Sequence, residues 1–315
     1  MSGDVIVTVT LNAALHVAYT VGDLAADDIT PVSRPSYRAG GRGVTVARVL
    51  WAFGHDVLAA GLAGGASGEL IRDDLAKSGV PTAFTLIRAD SRRFFRFAGP
   101  DPADPAMRFA EPGPYITTEE LGRFAADYRR LMAGAAAVVL CGSLPDGLPA
   151  DTYGSLVTYA TEAGVPVVLD VGGEELKHAV GHGPDLVVAE TSSADPGLGP
   201  ALIRLGAGAA AIATGGLIRA VTATGEWTAR VEAADVKGSD PDPSTQRPAR
   251  GALVAGLVPG QLLGWSWPDR LRHALALATG GAGAWTNAPG APEDRDRVDL
   301  AAYERLLDAV RVDTR

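Results

Sequence analysis

The sequence predicts an α/β fold built on a mostly parallel, doubly wound sheet. Three observations lead there. Short apolar runs alternate with helical segments along most of the 315 residues. Twice the join is a glycine-rich turn: Ala39-Gly-Gly-Arg-Gly43 opens Val44–Phe53, and Gly64-Gly65-Ala-Ser-Gly68 opens Glu69–Ser78. Strand, tight turn and helix in that order are the grammar of parallel sheets, whose strands need a crossover to connect them. The composition is 47% hydrophobic but only 6% aromatic, which suits closely packed helices on a sheet better than a β-sandwich.

In chain order, Val5-Ile-Val-Thr-Val9 reads as a first strand and Val17–Val21 as a second. Ile29–Arg38 reads as a strand that Pro31 and Pro35 confine to an edge. Val57–Leu62 is a buried strand. Ala83–Ile87 and Arg92–Phe97 alternate like exposed strands, and Met107–Pro114 closes that region. Thr117–Ala133 is a helix with a capping box from Thr117 to Glu120. Ala137–Leu140, Val165–Asp170, Leu186–Val188 and Ala209–Thr214 are core strands, separated by helices at Thr152–Ala163, Glu174–Val180 and Ala201–Leu205. Ile218–Thr222 and Trp227–Val231 form a hairpin through Thr224-Gly225. Gly251–Val258 is a helix apolar on all sides, which tolerates Gly256 only if something packs close to it. Trp267–Ala278 is the last helix. No repeat or linker interrupts the chain, so the expectation is one domain over 1–315 with a small β-sheet lid from segments 17–38 and 83–112.

Charge and composition exclude several classes. A net charge of −9 argues against a nucleic-acid or acidic-membrane partner. No apolar run approaches the roughly 18 residues of a membrane span. No secretory leader is evident, and the single Cys141 forms no intrachain disulfide, so the expected compartment is the cytoplasm. Cys141 ends an apolar strand and reads as a buried, inert thiol. His178 and His182 have the spacing of a ligand pair, but no HExxH motif is present and glycines flank His182. Helix-end histidines on the surface are the better reading, and no metal site is expected. Gly142-Ser143-Leu144-Pro145 lacks the turn of a serine nucleophile. No Walker or dinucleotide-binding glycine motif is present.

The glycine turns and a set of arginines remain. Gly40 and Gly41 let the backbone approach a ligand, and Arg42 can meet a carboxylate or phosphate bidentately or stand solvated at a helix entry. Arg92 and Arg96 share one face of a strand by period two, as a phosphate-facing pair or a solvated one. Asp170 closes a buried strand, where ligands meet open parallel sheets, or caps the helix that follows. The loop before Gly251, rich in Pro, Asp, Ser and Arg, feeds a helix N-terminus. Free N–H groups and the helix dipole make such a place suited to an anion.

The succession TLNAALH, AGGRGVTVARVL, GLAGGASGELI, AEPGP, LCGSLPDGLP, LDVGGEEL and PDLV resembles the phosphofructokinase-B sugar kinases, nearest the 1-phosphofructokinase and tagatose-6-phosphate kinase branch. The resemblance runs over nearly the whole chain. It implies a three-layer α/β/α ribokinase-like fold, a small β-sheet lid that often makes a homodimer contact, and ATP- and magnesium-dependent phosphorylation of a sugar or sugar phosphate. Carried over residue by residue, it places His16, Gly40, Gly41, Arg42, Thr45, Arg92 and Arg96 at the substrate. Lys237, Arg250, Gly251 and Gly215 fall on the anion and nucleotide side.

This chain departs from the family pattern where the chemistry is expected. NPALD becomes Asn12-Ala13-Ala14-Leu15-His16, with imidazole in place of a carboxylate acceptor. GGKGxN becomes Gly40-Gly41-Arg42-Gly43-Val44-Thr45. KPNxxE becomes Val188-Ala189-Glu190 with Ser193 last. The family's GAGD, whose aspartate is the base, aligns from the helix side with Pro248-Ala249-Arg250-Gly251. The base is then a glycine, and Pro248 lacks an N–H. From the strand side Asp240 comes near the position, and an excess of about ten residues lies between the two registers. Loss of a general base costs about 10²–10⁴ in rate.

The expectation for function is a hexose-phosphate kinase by descent that has lost ordinary ATP-dependent transfer and binds a phosphorylated sugar or other anion. The alternative is an active sugar or sugar-phosphate kinase with a rebuilt loop, Asp240 as base and Arg250 or Lys237 at the phosphates; ATP and magnesium belong to that alternative. His16 as the acid/base of a different reaction is a weaker idea than His16 as a packing substitution.

Overall fold

Val5–Thr10 (β1) and Ala135–Cys141 (β8) lie side by side within a ten-stranded sheet. The computed structural model describes residues 5–22, 29, 32, 34–99, 106–192, 195–231, 250–281 and 300–314. On one side of β1 come Val57–Gly64 (β4) and Thr82–Ile87 (β5). Beyond β8 come Val167–Asp170 (β9), Leu186–Glu190 (β10) and Ala209–Thr214 (β11). All of these run parallel. Leu217–Thr222 (β12), Glu226–Val231 (β13) and Val310–Thr314 (β14) then extend the sheet antiparallel to its edge.

Helices cover both faces. Arg42–Ala52 (α1), Gly65–Lys77 (α2), Arg250–Leu262 (α7), Trp267–Ala276 (α8) and Leu300–Ala309 (α9) share one apolar core with the sheet. Thr118–Met132 (α3), Thr152–Glu162 (α4), Gly173–Ala179 (α5) and Leu198–Leu205 (α6) share the other. This is the expected three-layer α/β/α arrangement. The parallel strands, buried on both sides, read as continuous apolar runs such as Ala-Ala-Ala-Val-Val-Leu-Cys in β8. The predicted capping box is present: the Thr117 side chain accepts from the Glu120 N–H, and the Glu120 carboxylate accepts from Thr117 N. Gly256 sits where α7 meets α8, and a β-carbon there would stand 2.5 Å from Ala274 Cα. The glycine is what lets these two helices touch.

A second, four-stranded sheet stands beside the first, ordered Ser36–Gly40 (β3), Ala14–Thr20 (β2), Arg92–Ala98 (β6) and Met107–Ala110 (β7). Two expectations need correction. Ala83–Ile87 was expected in this small sheet but belongs to β5, which pairs in parallel with β4 at the edge of the main one. As an edge strand it alternates in burial, which is the pattern that suggested an exposed lid strand. The strand read over Ile29–Arg38 overlaps β3 only at residues 36–38, because β3 spans Ser36–Gly40, and Val32 makes an isolated bridge to Val21. The closing pair α9 and β14 was not anticipated, and β14 is placed by its pairing with β13. No helix among the described residues is long and apolar enough to cross a membrane.

Candidate functional site

The chemistry-bearing residues gather where strands of the main sheet end and two helices begin. Asp170 is the last residue of β9 and is fully enclosed. Arg42 is the first residue of α1 and Arg250 the first of α7. Both guanidiniums converge on Asp170. Arg250 reaches Oδ1 with Nε at 2.6 Å and Nη2 at 2.5 Å. Arg42 donates Nη1 to the same oxygen at 3.2 Å and to the Asp170 carbonyl at 3.1 Å. Arg250 also donates Nη2 to the Val188 carbonyl at 3.3 Å and lies 3.6 Å from a Glu190 carboxylate oxygen. Asp170 Oδ2 is buried without a hydrogen-bond partner among the described residues.

The carboxyl of Asp170 is under opposing influences. Burial raises its pKa above the ordinary aspartate range, and the charges and hydrogen bonds of Arg250 and Arg42 pull it back. Asp170 is not the cap of α5, whose N-cap is Gly172 with no side-chain hydrogen bond. Cys141 beside it is enclosed, and burial pushes its thiol pKa well up, so it is unreactive as expected.

The two helix starts press on each other. A β-carbon at Gly251 would stand 2.6 Å from Thr45 Cγ2 and 2.8 Å from Thr45 Cβ. The Thr45 hydroxyl donates back to the Gly41 carbonyl at 3.2 Å. Thr45, expected at the substrate, packs between α1 and α7. Position 251 has no space for a carboxylate side chain in this arrangement.

The small sheet carries a basic face. Paired strand positions project to the same side. The pairings Arg38 with His16, His16 with Phe94, Ala18 with Arg96 and Arg96 with Arg108 put three arginines and His16 on one side. Arg92 joins them through its pairing with Ala14. Arg92 Nε and Arg96 Nη1 are buried with no hydrogen-bond acceptor among the described residues. Burial lowers the pKa of both arginines, and Arg108 adds to the lowering at Arg96. Arg93 points the other way and pairs with Glu111 at 2.7 Å. The His16 ring lies over Gly40, where a β-carbon would meet its ring atoms at 2.1 Å, and packs on Phe94 at 5.1 Å. β3 leads through Gly40 and Gly41 directly into Arg42 of α1, so the Arg92 end of this face adjoins the junction around Asp170.

The expected site residues thus divide into groups. Arg42 and Arg250 meet, but through Asp170 and not through empty space. His16, Gly40, Arg92 and Arg96 share the small-sheet face. Gly41 is the N-cap of α1, with φ of 125°. Gly215 turns β11 into β12 with φ of 57° and has nothing within 4 Å of its would-be β-carbon. Asp240 and Lys237 lie outside the described residues, as do Ser193, Pro248 and Ala249. The partnership of both arginines with Asp170 escaped the sequence reading. Its one signal was a charged residue ending the apolar run Val-Val-Leu-Asp, since a buried carboxylate requires partners. Both carboxylates at the junction, those of Asp170 and Glu190, lie against the Arg250 guanidinium.

Residues 6–200 match the model of the pfkB family carbohydrate kinases. The chain is similar in structure to a possible 1-phosphofructokinase of Thermotoga maritima, at 20% identity and a TM-score of 0.80, covering 99% of each chain. It is similar to the phosphofructokinase-2 of Escherichia coli in its tetrameric inhibited form, at 20% identity and a TM-score of 0.79, covering 96% of this chain and 98% of that one. The same Escherichia coli enzyme in complex with fructose-6-phosphate matches at 18% identity and a TM-score of 0.76, with the same coverage. At these identities the structural likeness is one of fold.

Proposed function

The chain belongs to the pfkB family of carbohydrate kinases, and from that premise we propose that it binds a phosphorylated sugar or a similar anion on the arginine face of its small sheet and has lost ordinary ATP-dependent phosphoryl transfer. One observation carries the second half of this reading. The start of α7, where the family resemblance locates the base and the phosphate cradle, is filled by the chain itself. Arg250 is bound to Asp170 and Gly251 is pressed against Thr45. Phosphoryl transfer depends on positioning and on stabilising charge at the phosphates. A junction whose cations are already engaged is poorly arranged for either.

The first half is supported by Arg92 and Arg96. Each keeps a buried N–H without an acceptor among the described residues, and such a group is costly unless a ligand or water satisfies it. A phosphate accepts such bonds well. On the opposite side of the same sheet Leu15, Val17 and Phe95 pack into the core, while Tyr37, Met107 and Phe109 are exposed. We infer that a second copy of the chain covers the exposed residues.

Calorimetric titration with hexose phosphates and with ATP, together with a coupled turnover assay, tests the reading. Sugar-phosphate binding without turnover is expected. Robust ATP-dependent turnover that disappears in Asp240→Ala would establish the rebuilt kinase instead.

A further inference from the structure

We propose that Asp74 is a positioning residue for the arginine face: it clamps the edge of the small sheet to two helices of the main body and so fixes where that face stands. The role in binding rests on the reading that the face takes a hexose phosphate; the clamp itself does not.

β3 is an edge strand of the small sheet and pairs there with β2. The outward N–H groups of an edge strand are left to solvent unless something else accepts them. Here the Ala39 N–H donates to the Asp74 carboxylate of α2 at 2.6 Å. The same oxygen accepts from Nη2 of Arg48, a buried residue of α1. Arg48 also donates Nη1 to the Ser78 hydroxyl at 2.9 Å. Ser78 is the C-cap of α2, and its hydroxyl donates to the Asp74 carbonyl at 3.0 Å. One carboxylate oxygen thus joins β3, α1 and α2. A buried guanidinium requires an anionic partner, and hydrogen bonds to a charged group are the stronger kind.

The place of the clamp gives it a role beyond holding two helices together. Ala39 and its β2 partner Leu15 are buried in the core that the sheet shares with α1 and α2. Arg38, one residue earlier, projects to the arginine face by strand alternation. Gly40, one residue later, lies under the His16 ring. The chain then passes through Gly41, with φ of 125°, into Arg42 of α1. A join through two glycines has no side chain of its own to fix its angle. Movement of β3 at Ala39 therefore carries Arg38 with it and unseats His16, which packs on Phe94 between Arg92 and Arg96. With the clamp closed, the arginines are set before the ligand arrives, which is where preorganisation gains affinity. If opening the clamp leaves the face correctly placed in about 10–30% of molecules, binding weakens about 3- to 10-fold.

Amide hydrogen exchange and calorimetric titration with fructose 6-phosphate, read on the same variants, test the proposal. In the wild-type protein the Ala39 amide should exchange slowly, although it lies on the outer edge of an edge strand. Asp74→Asn removes the charge, and Asp74→Ala removes the acceptor as well. Both should speed exchange in β2 and β3 about tenfold more than in β8, as a local opening does. Both should weaken fructose 6-phosphate binding about 3- to 10-fold. Phe124→Leu, in the core on the other side of the main sheet, is the control: it should lower stability and leave affinity within about twofold. Equal acceleration in β8 and the small sheet, or an equal loss of affinity in Phe124→Leu, overturns the proposal, because Asp74 would then act on stability alone. Should the Asp74 variants fail to fold, the wild-type protein decides, and exchange at Ala39 as fast as in an unprotected amide rejects the clamp. A wild-type chain that binds no hexose phosphate removes the binding reading, and the exchange rates then decide the clamp by themselves.

Discussion

Gly251 and Thr45 are in closer apposition than any side chain at position 251 would allow: a β-carbon there would lie 2.6 Å from Thr45 Cγ2. The start of α7 is thereby packed onto the first turn of α1. Restoring an aspartate at this position, as in the family pattern, should not restore a base. Gly251→Asp should lower stability by about 1–3 kcal/mol through overpacking and should yield no sugar kinase activity. Adding Thr45→Ala should recover part of the stability. Urea denaturation of the two variants and a turnover assay check both statements.

Arg250 and Arg42 share one carboxylate, so their contributions are coupled. Arg250→Ala removes the closer partner of a fully buried charge and should cost about 3 kcal/mol. Arg42 is further from Asp170 and a third exposed, and Arg42→Ala should cost about 1 kcal/mol. The double variant should depart from the sum of the two by at least about 0.5 kcal/mol, as expected for residues in one network. A double-mutant cycle measures this, and strict additivity would mean that the arginines do not act on the same group.

The two sides of β6 should respond differently to loss of charge. Arg92→Ala and Arg96→Ala should each weaken binding of a hexose phosphate about 10-fold or more, the scale of a lost charge-assisted hydrogen bond. Arg93→Ala lies on the opposite side, paired with Glu111, and should leave binding within about twofold, as surface ion pairs contribute little. Titration of the three variants with one hexose phosphate is sufficient, and equal losses in all three would count against the face assignment.

Stability should fall in mild acid because of His273. This residue of α8 is enclosed by Phe53, Trp265 and Tyr303, and its Nδ1 is bonded to the Tyr303 hydroxyl. Burial lowers its pKa from 6.5 to about 4, and His55 adds to the lowering. The folded state thus favours the neutral ring. The contribution is complete above pH 6.5 and is lost as pH falls from there towards 4, on the order of 3 kcal/mol in all. Denaturant midpoints measured from pH 8 to pH 4.5 should show the decline, and His273→Phe should flatten it.

The exposed aromatic part of the small sheet, opposite its arginine face, should hold two copies together. Tyr19 stacks on Phe97 at 5.1 Å, and Phe97 meets Phe109 edge-on at 6.0 Å. Phe109 itself remains 54% exposed. Sedimentation should give a dimer for the wild-type chain and a monomer for Phe109→Glu, with the fold retained by circular dichroism. A wild-type monomer at micromolar concentration would remove this assignment.

Local chemistry carried much of this molecule in its sequence. The parallel strands declared themselves as short apolar runs, α3 by Thr117 and Glu120, and a close contact on α7 by a glycine in a helix apolar all round, though not that α8 makes it. These are signals a chain carries within about a dozen residues, because helix and strand periods and caps are local properties. Even so, β5 read as a lid strand, since alternation marks a half-exposed strand without saying which sheet it joins. The family and the arginines of interest were legible as well. Only the tertiary structure decided what those arginines do. Arg42 and Arg250 stand 128 and 80 residues from Asp170. Nothing near either arginine distinguishes a cation awaiting phosphate from one already matched by a buried carboxylate. That distinction depends on which strand end the two helix starts face, and it is settled by the order of strands in the sheet.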